Sequence, residues 1–233
     1  MLVFDLDDTL YPEREYALSG FSAVDRWLQS EHGVVGFENK AVSIFHAGPH
    51  GRIFDVALSE LGVAEDSALI SQMVDIFRGH VPSITLHPDA RWALDHFGSR
   101  MDLGLLTDGF LQAQRQKVAA LKIAHLFSTM VYSDEMGREH WKPSETPYRT
   151  LMRQSGHSDS NHVYVSDNPA KDFIGARRLG WFTIRIRRPQ GVYADLEAKD
   201  GYDADAEIST LRALEAVIPA ANTQSFRGQW SCS

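Results

Sequence analysis

The sequence predicts an α/β protein: a Rossmann-like, doubly wound, mainly parallel five-stranded sheet with an all-helical cap inserted after its first strand. Three observations carry that expectation. The chain opens on a short apolar run, Leu2-Val3-Phe4, that ends in acidic residues, as a buried strand followed by a polar turn does. Residues from about 14 to 80 place apolar side chains at helical spacings. Beyond about residue 98, short apolar runs alternate with helical stretches, the pattern of parallel strands joined by crossover helices. The first strand is thereby separated from its sheet partners, which divides the chain into a core, residues 1–13 plus 82–233, and a helical cap, residues 14–81.

Taken in order, the first strand delivers Asp5 and Asp7 to its C-terminal end. Tyr11-Pro12-Glu13-Arg14 has the chemistry of a turn and a helix start, with proline near the first helical position. Leu18, Phe21, Val24, Trp27 and Leu28 share one face of a first helix, which Gly33 and Gly36 interrupt. Ala41, Ile44 and Phe45 mark a second helix ending at Gly48-Pro49; Ile53 to Leu61 marks a third, and Leu69 to Phe77 a fourth. Pro82 to Pro88 reads as a linker, and Asp89 to Phe97 as a helix closed by Gly98. Met101 to Leu106 is an expected strand, followed by Thr107-Asp108-Gly109 and a helix from Leu111 to Leu121. Thr129 to Tyr132 is the next strand, and Pro147 to Gln154 the next helix. His162 to Val165 forms a strand leading into Ser166-Asp167-Asn168-Pro169, then a helix from Ala170 to Leu179 with Gly180 as its stop. Phe182 to Ile186 is the fifth strand, Leu211 to Ile218 a last helix, and the tail after Pro219 is expected to be loose.

A chain of 233 residues suffices for one large α/β unit with an insert. Its 43% hydrophobic and 23% charged content is ordinary for a soluble globular protein. The formal net charge of -8 argues against nucleic acid and anionic membranes as partners, since both need a basic face. An anionic substrate stays open, because a bound metal and a few local cations can invert the field at one site. The single cysteine, Cys232, allows neither an intrachain disulfide nor a thiolate cluster. Ten histidines show no paired metal-ligand spacing, so no zinc site is expected. No secretory signal opens the sequence and no apolar run approaches the roughly 20 residues of a membrane span, so the expectation is a cytoplasmic protein.

Parallel strands bring their C-terminal loops to one edge of the sheet. Asp5 and Asp7 follow the first strand, Thr107-Asp108-Gly109 the second, Lys142-Pro143 the third, and Asp167 with Asp172 the fourth. Carboxylates this close repel unless a cation or proton offsets them, which makes a divalent metal with oxygen ligands the first suspect. The set suits phosphoryl transfer through a carboxylate, which splits one hard hydrolysis into two easier steps. Asp5, Asp7 and Asp167 can supply the metal ligands. An acid two residues along the turn can reach the leaving oxygen. Thr107, Lys142 and the amides near Asp108 and Gly109 can donate to the phosphoryl oxygens.

The order of these signatures resembles the haloacid dehalogenase superfamily of hydrolases. Its four motifs are matched here by VFDLDDTLY, LLTDG, WKPSETPY and VYVSDNPAKD, with an insertion between the first two where that family keeps its helical cap. The resemblance implies a magnesium-dependent phosphatase acting on a small phosphorylated metabolite, with Asp5 as the nucleophile. Asp7 would be the general acid and base and would bind Mg2+ through its backbone carbonyl. Thr107 and Lys142 would hold the phosphoryl group, Asp167 would ligate the metal directly, and Asp172 would ligate it or support it through water. Thr9 would close the first turn beside the substrate. An acid at the position of Asp7 separates the family's phosphatases from its dehalogenases.

Each residue also has a plainer reading. Lys142 can be an exposed loop lysine, Thr107 a helix cap, and Asp172 a first-turn acid favoured by the helix dipole. Asp8 and Asp108 are expected to be solvated or hydrogen-bonded to turn amides, and Gly109 to permit a tight turn under the phosphate. Within the cap, Arg14 and Arg52 are the preferred substrate contacts, ahead of His46, His50, Arg78 and His80. A phosphomutase or phosphotransferase would use the same residues. A phospho-receiver module fits poorly, because it lacks a cap and places its lysine at its last strand, after its threonine, whereas here the order is Thr107, Lys142, Asp167.

Overall fold

The computed structural model describes residues 1–48, 51–64, 66–157 and 162–218. Cys232, His50 and the tail after Pro219 lie outside the described residues. Strands Leu2–Phe4 (β1), Leu103–Thr107 (β2), Thr129–Tyr132 (β3), Val163–Ser166 (β4), Phe182–Ile186 (β5) and Ala206–Ile208 (β6) form one sheet in the order β3-β2-β1-β4-β5-β6. Every neighbouring pair is parallel. The sheet thus has six strands, one more than expected. β6 escapes sequence reading because it is three residues long, Ala-Glu-Ile, with no usable alternation. It is held by the Arg187 amide donating to the Ile208 carbonyl at 2.8 Å and by Asp205, whose carboxylate accepts from the Thr183 amide and hydroxyl.

β1 is central and wholly buried, and its side chains alternate between two cores. Leu2 and Phe4 join Leu105, Val165 and Ile184 against helices Pro88–Gly98 (α5) and Leu111–Leu121 (α6). Val3 joins Leu106, Val131 and Tyr164 against Thr146–Ser155 (α7) and Asp172–Arg178 (α8). Apolar strands covered on both faces are what a parallel sheet requires. The last helical stretch is a 3-10 turn, Leu211–Ala213, running into a short helix, Leu214–Val217 (α9).

The cap is four helices: Glu13–His32 (α1), Phe37–Ala47 (α2), Ile53–Glu60 (α3) and Ser67–Gly79 (α4). Gly33 ends α1 with φ of 67°, and its amide reaches back to the Leu28 carbonyl. The Asp66 carboxylate caps α4 by accepting from the amides of Ala68 and Leu69. Phe21, Val24, Leu28, Phe37, Leu58 and Met73 pack into a core separate from those of the sheet. Burying each of these side chains contributes about 1.5–3 kcal/mol, so the cap carries its own stabilising nucleus. No helix among the described residues is long and apolar enough to cross a membrane.

Candidate active site

The strand order reverses direction at β1 and β4, and the crevice beyond their C-terminal ends is where doubly wound sheets bind ligands. β1 hands over to Asp5, whose amide donates to the Val165 carbonyl of β4 at 2.9 Å. The chain then turns sharply: Thr9 N–H meets the Asp7 carbonyl at 2.6 Å, and Leu10 N–H meets the Leu6 carbonyl at 3.0 Å. Asp8 takes a left-handed φ of 48°. Its buried carboxylate accepts from the amides of Glu13 at 2.8 Å and Val192 at 2.7 Å. Of the two expectations for Asp8, hydrogen bonding to turn amides holds and solvation does not.

Lys142 is the organising cation. Its side chain is 1% exposed. Its ammonium donates to Asp5 Oδ1 at 2.7 Å and Tyr164 Oη at 3.0 Å, and faces Asp172 Oδ1 at 2.8 Å. Three donors meet three acceptors, which excludes the exposed-lysine reading. Burial alone would lower the Lys142 pKa, but Asp172 and Asp5 outweigh it and hold the ammonium well above its ordinary value. Asp172 has its second oxygen occupied by the Ser166 hydroxyl at 2.6 Å and the Asn168 amide at 3.1 Å. It braces Lys142 and the β4 turn, and is more than a helix-start acid.

Carboxylate oxygens of Asp5, Asp167 and Asp172 lie within 4.8 Å of one another, all three residues buried. Burial, followed by repulsion from Asp172 and Asp5, pushes the Asp167 carboxyl well above the usual carboxylate range. Among the described residues no hydrogen-bond donor serves that carboxylate, although it is only 7% exposed. Three hard oxygen donors, one of them without a donor of its own, fit a cation such as Mg2+. Asp7 contributes no carboxylate oxygen to this cluster.

Asp7 points the other way. Its carboxylate accepts from Lys117 Nζ at 2.7 Å, Gln114 Nε2 at 2.9 Å and the Tyr11 hydroxyl. Burial alone would raise its pKa; Lys117 reverses the sign and keeps the carboxylate ionised. Gln114 Nε2 also lies 2.6 Å from both Thr107 Oγ1 and the Asp108 carbonyl, tying the ends of β1 and β2 together. The Asp108 carboxylate accepts from Ser133 Oγ at 2.6 Å and Lys171 Nζ at 2.9 Å, and Gly109 turns the chain at φ of 126°. Asp108 is buried rather than solvated.

A cavity of about 520 Å³ separates this edge from the cap. Asp7, Asp108, Gly109, Gln114 and Lys117 form its polar end, and Phe21, Phe54 and Phe77 line the cap side. Arg52 borders the cavity while pairing with Asp55 at 3.2 Å. Arg14 borders a different groove, beside Pro12, His87 and Arg188. Thr9 is completely buried, and its hydroxyl has no partner among the described residues. His46 is exposed, whereas the ring of His80 is tied to the Phe77 carbonyl and Ser19.

Gln114 and Lys117 went unread in the sequence, yet they left a trace. They fall on the same stripe as Ala113, Val118 and Leu121, the buried face of α6. A polar residue on an apolar stripe needs a buried partner. Tyr164 and Ser133 left no comparable trace, since each looks like an ordinary strand or loop residue.

The chain is similar to known proteins over most of its length. Residues 2–186 match the model of the haloacid dehalogenase-like hydrolases. Glyceraldehyde 3-phosphate phosphatase of Methanopyrus kandleri is 29% identical over 227 residues, covering 93% of this chain and 96% of that protein. Phosphoserine phosphatase of Thermus thermophilus is 32% identical over 171 residues, covering 72% of this chain and 66% of that protein. Among solved structures, a 2-haloacid dehalogenase of Pseudomonas syringae superposes with a TM-score of 0.62 at 24% identity, covering 93% of this chain and 96% of that one. A HAD phosphatase of Thermococcus onnurineus does so at 0.59 and 19%, with the same coverage. These structures share the fold, and the family match runs from the β1 motif to the end of β5. The chain belongs to the haloacid dehalogenase-like hydrolases.

Proposed function

We propose that this enzyme hydrolyses a small phosphorylated metabolite in the cytoplasm, in two steps through a phosphorylated Asp5. The observation that carries the reading is the Asp5 carboxylate at the end of β1. Lys142 fixes one of its oxygens at 2.7 Å, and Asp167 and Asp172 stand beside it. Asp5 attacks phosphorus, the bond between phosphorus and the ester oxygen breaks, and that oxygen takes the Asp7 proton in the fraction of enzyme molecules in which Asp7 carries one. Water then attacks the aspartyl-phosphate, Asp7 takes its proton, and Asp5 is regenerated as phosphate leaves. Lys142 orients Asp5 and offsets the charge of Asp172. Thr107 and the turn around Asp108 and Gly109 face the phosphoryl oxygens. Asp5, Asp167 and the Asp7 carbonyl would hold Mg2+, with Asp172 supporting them. When bound, that ion neutralises phosphate charge and lowers the repulsion between dianion and carboxylate. Helices α1–α4 act as a cap that closes the site from water.

Relatives named for glyceraldehyde 3-phosphate and phosphoserine support a phosphatase of small esters. The test is magnesium-dependent release of inorganic phosphate from a panel of monoesters. Asp5→Asn is expected to lower kcat by about ten-thousandfold or more while the protein stays folded. Full activity in Asp5→Asn would overturn the assignment.

A further inference from the structure

The cavity between cap and sheet edge has charged groups on both sides, Asp7, Glu13 and Lys117 near the sheet edge and Arg52, Asp55 and Arg78 on the cap. Between these groups the wall is apolar: Phe21, Phe54, Ile70 and Phe77 from the cap, and Phe110 from the loop after β2. Phe54 meets Phe77 edge-on, with centroids 5.6 Å apart at 69°, and Phe21 lies against Phe77 at 5.7 Å. Across from them, the Arg78 guanidinium sits 3.4 Å over the Phe110 ring. Apart from Phe21, these rings are half-buried and keep surface toward the cavity.

Volume and chemistry both bear on what fills this space. A cavity of about 520 Å³ falls in the range that takes ring-containing ligands of drug-like size, roughly 300–1,000 Å³. A leaving group of two or three hydroxylated carbons would leave most of it empty. Its hydroxyls would be paired only where they met the charged groups; against the rings they would find no hydrogen bond, and an unpaired buried hydroxyl is costly. An aromatic body has the opposite fit. Its edges and faces match a wall of phenylalanines, and a guanidinium plane stacked on one ring can stack on a second.

We propose that the substrate of this site is a phosphate monoester whose leaving group carries an aromatic or heteroaromatic ring, seated among Phe54, Phe77 and Phe110 with Arg78 at its rim. The proposal rests on the hydrolytic reading and names the substrate class for it. The reaction is unchanged: the phosphorus–ester-oxygen bond breaks and the ring departs as an alcohol.

The test uses two alkyl esters whose leaving oxygens have similar chemistry, 2-phenylethyl phosphate and 2-hydroxyethyl phosphate, with acetyl phosphate as a minimal phosphoryl donor. The expected kcat/KM for the phenylethyl ester exceeds that for the hydroxyethyl ester about tenfold or more, the scale of discrimination that apolar pockets reach. That ratio should fall toward one in Phe54→Ala and remain largely intact in Phe54→Leu, which keeps apolar volume at the same position. A ratio of one or below in the parent enzyme, with phosphate released from acetyl phosphate, overturns the substrate class alone. No phosphate from any of the three overturns hydrolysis and this inference together.

Discussion

At the sheet edge, Lys142 holds Asp5, Asp172 and Tyr164 within 3.0 Å, and each partner is fixed in turn by a strand end or a turn amide. Across the cavity, the cap presents rings from Phe21, Phe54 and Phe77, whose contacts are dispersion and ring edges. Hydrogen bonds between charges are directional and mutually dependent, so losing one member strands the others. Apolar contacts are non-directional and scale with area, so a changed ring alters fit by degrees. Under the proposed function the two walls divide the work: reaction chemistry sits in a few irreplaceable positions, and substrate choice is spread over a surface that can be reshaped.

The sharpest way to break that contrast is Lys142→Met. It leaves Asp5 and Asp172, buried beside Asp167, without their shared cation. Removing one partner from a buried charge pair costs about 3–5 kcal/mol, so the urea midpoint of the metal-free protein should drop by a corresponding amount. Adding Asp172→Asn should recover part of the loss, because one uncompensated charge goes with it. A variant as stable as the parent would mean that the edge tolerates change as the cap does.

A smaller effect is expected where the two regions join. His87 lies at the return from cap to core, its amide bonded to the Leu10 carbonyl at 2.9 Å and its Nε2 without a partner among the described residues. Burial, then Arg188, pulls its pKa from 6.5 to about 4, against a weaker pull upward from Asp89. The folded protein keeps this ring neutral, so the unfolded chain binds the extra proton as the pH falls from 6.5 toward about 4. Stability from this group is complete above that window and lost on descending through it. In thermal melts at pH 7 and pH 4.5, His87→Gln should narrow the gap in Tm between the two. An unchanged gap would show that His87 titrates normally.

The contrast also accounts for what could be read from sequence. The edge was legible because parallel strands converge and the chemistry demands particular residue types: Asp5, Lys142 and Asp167 could be placed before any contact was known. The cap's helices followed from periodicity, but its cavity did not, since Phe54 and Phe77 look like core residues on any amphipathic helix. Arg14 stands out as a charge near the core-cap junction and Arg52 as a charge at a helix start, and charge alone says nothing about which side of a helix faces the site. β6 was lost because register with β5, and not its own pattern, makes it a strand. Gln114 and Lys117 show the middle case, where a polar pair on a buried stripe was visible but its partner, Asp7, lies more than a hundred residues away.

Thr9 supplies the finest test of how far a motif can be trusted. By sequence it sits beside Asp7 in the first turn and was expected near the substrate. In the structure its backbone does the work: the amide donates to the Asp7 carbonyl at 2.6 Å, and the carbonyl accepts from Arg188 at 2.8 Å. Its hydroxyl is completely buried and has no partner among the described residues. An unmade hydrogen bond in the interior costs about 1–3 kcal/mol, and replacing the group by an apolar one of the same shape is neutral or stabilising. Thr9→Val should therefore keep or raise the urea midpoint. It should hold kcat within about threefold of the parent, less than 1 kcal/mol of transition-state stabilisation. A large fall in kcat with stability intact would mean that the hydroxyl acts during turnover, and the edge would then extend one residue deeper than its hydrogen bonds indicate.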